Sequence, residues 1–327
     1  MTLFVVLAST IGSAFSRRCL KPFSLTPILA LVVTAIAGEA CAAGFEARTL
    51  EWALLERSYL IHVPPDAGSA PLALVIALHG AGGDAKSFAE ETGMETAADA
   101  SGMMVVFPEG TGRTFNAQIC CGEAVARQID DIGFIGAVID DVGRHWALDR
   151  TRIYVTGMSN GGMLAYQLAA LHPDRFAAVA PVAGAIGGMT RAGRTYLIPV
   201  PELPVPVMIV HGMLDRMVPY DGGSSPFLNF PSHWKLSVAD AFTFWAAADH
   251  CRGEPETREI VAGKLRSSVY AACAGNSMVR LLAVEDGDHA WPGDFFPAGE
   301  GTRSAAAEIL TFFAGFRRLE PRSSDHR

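Results

Sequence analysis

Charge is scarce in this chain, and positive charge scarcer still. Only 18% of the 327 residues are charged, and 26 Lys and Arg face 34 Asp and Glu, a formal charge of −8. The basic residues are scattered, with no stripe to neutralise phosphates, which argues against nucleic acid and anionic lipid as partners. Metal-ligand spacing is missing too: there is no C-x-x-C and no H-x-x-H, so no metal site is expected. Nor is there an internal repeat or a Ser/Thr-rich linker, which leaves a single domain as the simplest reading of everything after the N-terminal segment. Half the residues are apolar, so the shortage of charge signals a buried core rather than disorder.

The N-terminal segment stands apart. Arg17, Arg18 and Lys21 precede an apolar run from Leu25 to Ala37, and Ala40-Cys41-Ala42 supplies the small-x-small pattern of a cleavage site. These features predict a signal peptide over residues 1–42, cut near Ala42–Ala43, and a secreted (extracellular or periplasmic) domain over 43–327 with no stable membrane anchor. Ser16-Arg17-Arg18 is similar to a twin-arginine signal. An uncleaved anchor is the competing reading, and N-terminal sequencing of the exported protein separates the two.

Cys19 and Cys41 leave with that segment, so Cys120, Cys121, Cys251 and Cys273 remain. An even number in an oxidising compartment suggests disulfides, and four cysteines allow three pairings. Cys251–Cys273 is the favoured pair, tying a helix end to a loop before a late strand. Whether the adjacent Cys120 and Cys121 bond to each other or stay free is open at this stage.

The rest of the chain alternates between two kinds of segment. Arg57–Pro64, Leu72–Leu78, Met103–Phe107, Arg152–Thr156, Phe176–Ala183, Val205–Val210 and Val279–Val284 read as strands, several of them apolar on both faces as in the middle of a parallel sheet. Lys86–Ala100, Asp131–Trp146, the stretch after Ser159 to about His172, Ser237–Asp249 and 303–318 read as helices. Residues 184–204 and 216–236, rich in Gly, Pro and Ser, read as loops. Strands alternating with helices imply an α/β fold with a mostly parallel central sheet flanked by helices.

One turn in that alternation carries chemistry. Gly157-Met158-Ser159-Asn160-Gly161 joins a strand to a helix in the G-x-S-x-G pattern of a nucleophile elbow. Glycine and serine are also ordinary turn residues, so the pattern needs partners. A serine hydroxyl becomes a nucleophile when a histidine takes its proton and an acid orients that histidine. Asp215 and His289 follow in that order, each just past a strand end, which predicts a Ser159–His289–Asp215 triad in an α/β-hydrolase fold. Asp221 competes with Asp215 from a glycine-rich loop. His211 and His79 each precede a glycine at a strand end and read as supporting groups. The backbone N–H groups of Asn160 and of Ala81, in the loop His79-Gly80-Ala81-Gly82-Gly83, are the expected oxyanion-hole donors.

The chain resembles the secreted esterases that include polyhydroxybutyrate depolymerases and the related feruloyl and acetylxylan esterases. The resemblance rests on Leu78-His79-Gly80, Val105-Val106-Phe107-Pro108-Glu109, Asp130-Asp131-Ile132-Gly133-Phe134, Tyr154 through Met163, His172 through Gly184, Val210 through Asp215 with Val218-Pro219-Tyr220, and Gly287 through Gly293. It implies an α/β-hydrolase serine esterase working through an acyl-enzyme without a cofactor, with Ser159, Asp215 and His289 as nucleophile, acid and base. It also supports the Cys251–Cys273 pair and implies Trp291 as a wall of the acyl pocket, with Phe115 and His79 as further substrate-binding residues. Family members often have Trp-Asn where this chain has Phe115-Asn116, which alters the expected pocket wall. Substrates implied are ester oligomers of the polyhydroxybutyrate type, or feruloyl and acetyl esters of plant polysaccharide. Polyester depolymerases commonly carry a linker and a surface-binding domain, and the missing linker shifts the expectation toward soluble esters. A peptidase of similar fold and a non-catalytic binding protein on a hydrolase scaffold are the alternatives.

Overall fold

Each apolar run becomes a strand, and its alternate side chains serve two different cores. In Leu72–Leu78, the side chains of Leu74, Ile76 and Leu78 enter one buried cluster and those of Ala73, Val75 and Ala77 the other, as the period-two geometry of a strand requires. The computed structural model describes residues 44–118, 120–190, 192–225, 232–294, 296–298 and 301–318. The expected signal segment at 1–42 lies outside the described residues, and no helix among the described residues is long and apolar enough to cross a membrane.

In chain order the strands begin with β1 (Glu46–Trp52), β2 (Leu55–His62), β3 (Leu72–Leu78), β4 (Met103–Pro108), β5 (Leu148–Met158) and β6 (Ala178–Val182). Three short ones and a core one follow: β7 (Gly187–Thr190), β8 (Thr195–Leu197), β9 (Val207–Gly212) and β10 (Ser232–Lys235). The series closes with β11 (Glu256–Val261), β12 (Leu265–Tyr270), β13 (Val279–Val284), β14 (Phe296–Ala298) and β15 (Gly301–Arg303). Ten of them form one sheet in the order β1-β2-β4-β3-β5-β6-β9-β13-β12-β11. The six central strands β4, β3, β5, β6, β9 and β13 are mutually parallel. Antiparallel pairs flank them at both edges.

The helices are α1 (Ala85–Thr92), α2 (Met94–Ser101), α3 (Gly122–Ala126), α4 (Asp131–His145), α5 (Asn160–Leu171), α6 (Val238–Ala248) and α7 (Ala305–Ala314). Phe134 and Val138 of α4, Leu164 and Leu168 of α5 and Trp245 of α6 fill the core on one face of the sheet. Phe88 of α1, Ala98 of α2 and Ile309 and Phe313 of α7 fill the other. Tyr154 of β5 stacks on Phe313 with ring centroids 4.8 Å apart. This is the α/β-hydrolase architecture.

Two expectations are corrected. The single helix over Lys86–Ala100 is two helices, because Gly93 turns left-handed (φ 56°) and ends the first. The segments read as loops carry β7, β8 and β10, which pair into a small separate sheet in the order β10-β7-β8. The hairpin β11–β12 and the outer strand β1 were not foreseen. Asp130 caps α4 by accepting from Gly133 N–H at 2.9 Å, and Ser237 and Asp240 form a capping box at α6.

Both cysteine questions have structural answers. Cys251 and Cys273 are joined, as are the neighbours Cys120 and Cys121, whose connecting peptide is cis.

Candidate active site

Why the serine needs glycines around it is visible in the space available. A Cβ on Gly157 would lie 2.7 Å from both Leu78 O and Gly161 O, and one on Gly161 would lie 2.6 Å from His79 O. The elbow is pressed against the end of β3, and nothing larger fits. Ser159 takes φ 54° and ψ −113°, a strained conformation for a residue with a side chain, of the kind that concentrates at functional sites. Its N–H donates to Val182 O at 2.8 Å, which pins the turn to β6. The hydroxyl thereby sits at the N-terminus of α5, where unpaired N–H groups and the helix dipole favour negative charge.

Parallel β5, β9 and β13 all end on the same edge of the sheet, so residues just past those ends converge. Ser159 follows β5 directly, Asp215 follows β9 and His289 follows β13. His289 Nε2 lies 2.9 Å from Ser159 Oγ, and His289 Nδ1 lies 2.7 Å from Asp215 Oδ2. With a carboxylate on Nδ1, that nitrogen carries the proton and Nε2 is left to accept from the serine. Asp215 is held in turn: its Oδ1 accepts from the N–H groups of Met217 and Val218, both at 2.8 Å. Burial alone would raise its carboxyl, but hydrogen bonds to His211 and His289 outweigh burial and hold it well below the usual carboxylate range. Asp221, the competitor, is exposed and makes no hydrogen bond or ion pair with His289 among the described residues.

Two groups that support Asp215 were only partly legible beforehand. His211 is fully buried; its Nε2 donates to Val218 O at 2.8 Å and stands 3.2 Å from Asp215 Oδ2. Lys235, in a stretch that read as loop, is also fully buried, and burial lowers its ammonium to about 8 while Asp215 pulls the other way.

The expected oxyanion loop, 79–83, is narrowed by its own hydrogen bonds. Gly82 N–H donates to Arg113 O at 2.8 Å and Gly83 N–H to Gly80 O at 3.1 Å. Those two are spent, which leaves Gly80 and Ala81 as donors in that loop. Asn160 heads α5, so its N–H has no intrahelical acceptor.

Of the residues expected on the substrate's side, His79 and Phe115 are buried and Trp291 is half-buried. His79 is 1% exposed; its Nδ1 donates to Gly80 O at 2.8 Å and its Nε2 accepts from Gly110 N–H at 3.0 Å. Burial lowers its pKa and keeps it neutral. Phe115 is fully buried with its ring centroid 4.6 Å from that of His79. Both side chains are buried beside the 79–83 loop. Trp291 is half-buried and packs edge-on against Phe88 at 5.5 Å.

The model of the family described as "Esterase PHB depolymerase" matches residues 57–197. A protein of Nocardia uniformis subsp. tsuyamanensis provisionally named an esterase, NocK, is 33% identical over 255 residues, covering 74% of this chain and 72% of NocK. The chain belongs to the esterase PHB depolymerase family. It is a carboxylic-ester hydrolase. Feruloyl esterase B of Piromyces equi is 28% identical over 235 residues; the match covers 68% of this esterase but only 40% of the Piromyces protein. Among solved structures, the acetyl xylan esterase from Aspergillus awamori superimposes with a TM-score of 0.57 at 15% identity, covering 82% of this chain and 99% of that one. At that identity the match speaks for the fold alone.

Proposed function

We propose that this esterase works through Ser159, His289 and Asp215 and an acyl-enzyme intermediate. The observation that carries the proposal is the continuous hydrogen-bonded line from Ser159 Oγ through both ring nitrogens of His289 to Asp215. Ser159 Oγ attacks the ester carbonyl as His289 Nε2 takes its proton, and the Asp215 carboxylate holds the imidazolium so formed. The carbonyl oxygen becomes an oxyanion and is met by the N–H groups of Asn160 and Ala81. His289 returns the proton to the departing alkoxide, and water activated by the same histidine then releases the acid.

Feruloyl and acetyl esters of plant polysaccharide and short hydroxyalkanoate oligoesters are the proposed substrates. The names of the relatives support this choice, and residues 43–327 are proposed as a single domain. Export after cleavage near Ala42 completes the proposal, supported by the disulfides. Ser159→Ala is expected to abolish hydrolysis of p-nitrophenyl butyrate; activity within tenfold of wild type would sink the mechanism. Methyl ferulate, acetylated xylan and hydroxybutyrate oligomers assayed together assign the acyl group, and a dominant amidase activity would make the protein a peptidase instead.

A further inference from the structure

The two halves of the oxyanion hole come from different parts of the chain, the loop after β3 and the first turn of α5. A third segment, residues 109–118 and 120–121, is hydrogen-bonded to both. Toward the first half, Gly110 N–H donates to His79 Nε2 at 3.0 Å, Arg113 O accepts from Gly82 N–H at 2.8 Å, and Glu109 Oε2 accepts from Ala85 N–H at 2.9 Å. Toward the second, the fully buried Asn160 side chain takes hold of it three times. Asn160 Oδ1 accepts from Phe115 N–H at 2.7 Å, and Asn160 Nδ2 donates to Phe115 O and to Cys120 O, both at 2.9 Å. From below, Asn116 N–H donates to Asp131 Oδ2 at 2.7 Å, and Asp131 Oδ1 accepts from Arg57 at the same distance.

We propose that the segment of residues 109–118 and 120–121 is a brace that fixes the spacing between the two oxyanion donors, with the Asn160 side chain and His79 as its positioning residues. The proposal rests on the serine-esterase mechanism above. Asn160 then has two duties: its backbone N–H meets the oxyanion, and its side chain fixes where that N–H points. The chemistry favours this over a packing role. An asparagine whose side chain makes hydrogen bonds only to main-chain atoms of one remote loop sets backbone position, and the loop it grips is the one that grips His79. Donors aimed at an oxyanion act through their position, so a displacement of about 1 Å costs about 10²-fold in rate.

The test uses the full mature chain and two variants. Asn160→Asp keeps the acceptor for Phe115 N–H and removes both donors. His79→Asn keeps a donor near Gly80 O and removes the acceptor for Gly110 N–H. Folded active sites are counted by complete titration with a fluorophosphonate, and kcat and KM for p-nitrophenyl butyrate are expressed per titrated site. A trifluoromethyl ketone of matching acyl chain, which forms a tetrahedral oxyanion on the serine, reports transition-state binding. Both variants are expected to lose kcat by about 10²-fold with KM within about threefold, and to bind the ketone weaker by a similar factor. A kcat per site within threefold of wild type, or a loss of kcat with ketone affinity intact, overturns the brace. A crystal structure of the wild-type ketone adduct decides without either variant. The adduct oxygen is expected on Asn160 N–H with the Asn160 side chain still bonded to Phe115 and Cys120; an oxygen bound elsewhere, or a released side chain, overturns the proposal. An inactive wild type, or an active Ser159→Ala, would instead bring down the mechanism beneath it.

Discussion

Asp215 and Asp249 are both buried carboxyls, and their neighbours drive them in opposite directions. At Asp215 the histidines prevail over burial and keep it ionised. Its folded pKa lies below the unfolded one, so its stabilising contribution is complete above about pH 4 and is lost as pH falls through the folded value. Replacing it by Asn keeps the shape but offers an amide to His289 Nδ1, and kcat is expected to fall on the order of 10⁴-fold with KM little changed, as for a triad left with the wrong tautomer; steady-state kinetics check it. At Asp249, burial wins over the hydrogen bonds from Ser277 and Val205 N–H and raises the carboxyl from 3.8 to about 7. Here the folded state holds the proton longer than the unfolded chain. Stability is therefore complete below about pH 4 and declines as pH rises toward 7. Asp249→Asn is expected to remove that slope, so that denaturation curves of variant and wild type diverge between pH 4 and 7 by up to about 4 kcal/mol in favour of the variant and run parallel above. Ser159, Asp215 and His289 could be picked out in the sequence because each follows an apolar run. The Asn160 side chain could not, because its partner Phe115 is 45 residues away and nothing local distinguishes it from a turn residue.

Elements were legible in proportion to how much of them is buried. β3 and β4, apolar throughout, announce themselves. β11, with Glu256, Thr257, Arg258 and Glu259 all exposed, carries no hydrophobic pattern and owes its strand state to pairing with β12. Its charges blunt an edge that would otherwise recruit another strand. The small sheet of β7, β8 and β10 escaped because Gly187 and Gly188 read as loop, yet a Cβ on Gly187 would lie 2.5 Å from Tyr196 O, so glycine there permits close strand pairing. The elbow was legible for the same reason in reverse. Gly161→Ala forces a methyl group into the carbonyls of Leu78 and His79, and is expected to cost about 1–3 kcal/mol with a larger loss of activity. Urea denaturation and the p-nitrophenyl butyrate assay on the same sample test both parts; an unchanged midpoint would refute the crowding argument.

At the scale of the molecule, the α/β order and the parallel centre followed from alternating segments, whereas the sheet's edges depended on pairings no local pattern encodes. The Cys251–Cys273 bridge ties the end of α6 to the turn before β13, closing a loop with a sequence separation of 22. Replacing both by Ala is expected to cost about 3 kcal/mol by chain entropy, read as a lower denaturation midpoint with kcat retained, since neither cysteine touches the site. The wide spacing of the site along the chain has a consequence for biosynthesis. Ser159 and His289 are 130 residues apart, and the imidazole reaches the serine only once β13 has seated beside β9. Under the proposed mechanism, a ribosome that has finished the elbow has made a serine without its base, and the emerging polypeptide is disarmed until almost all of the sheet has been translated and assembled.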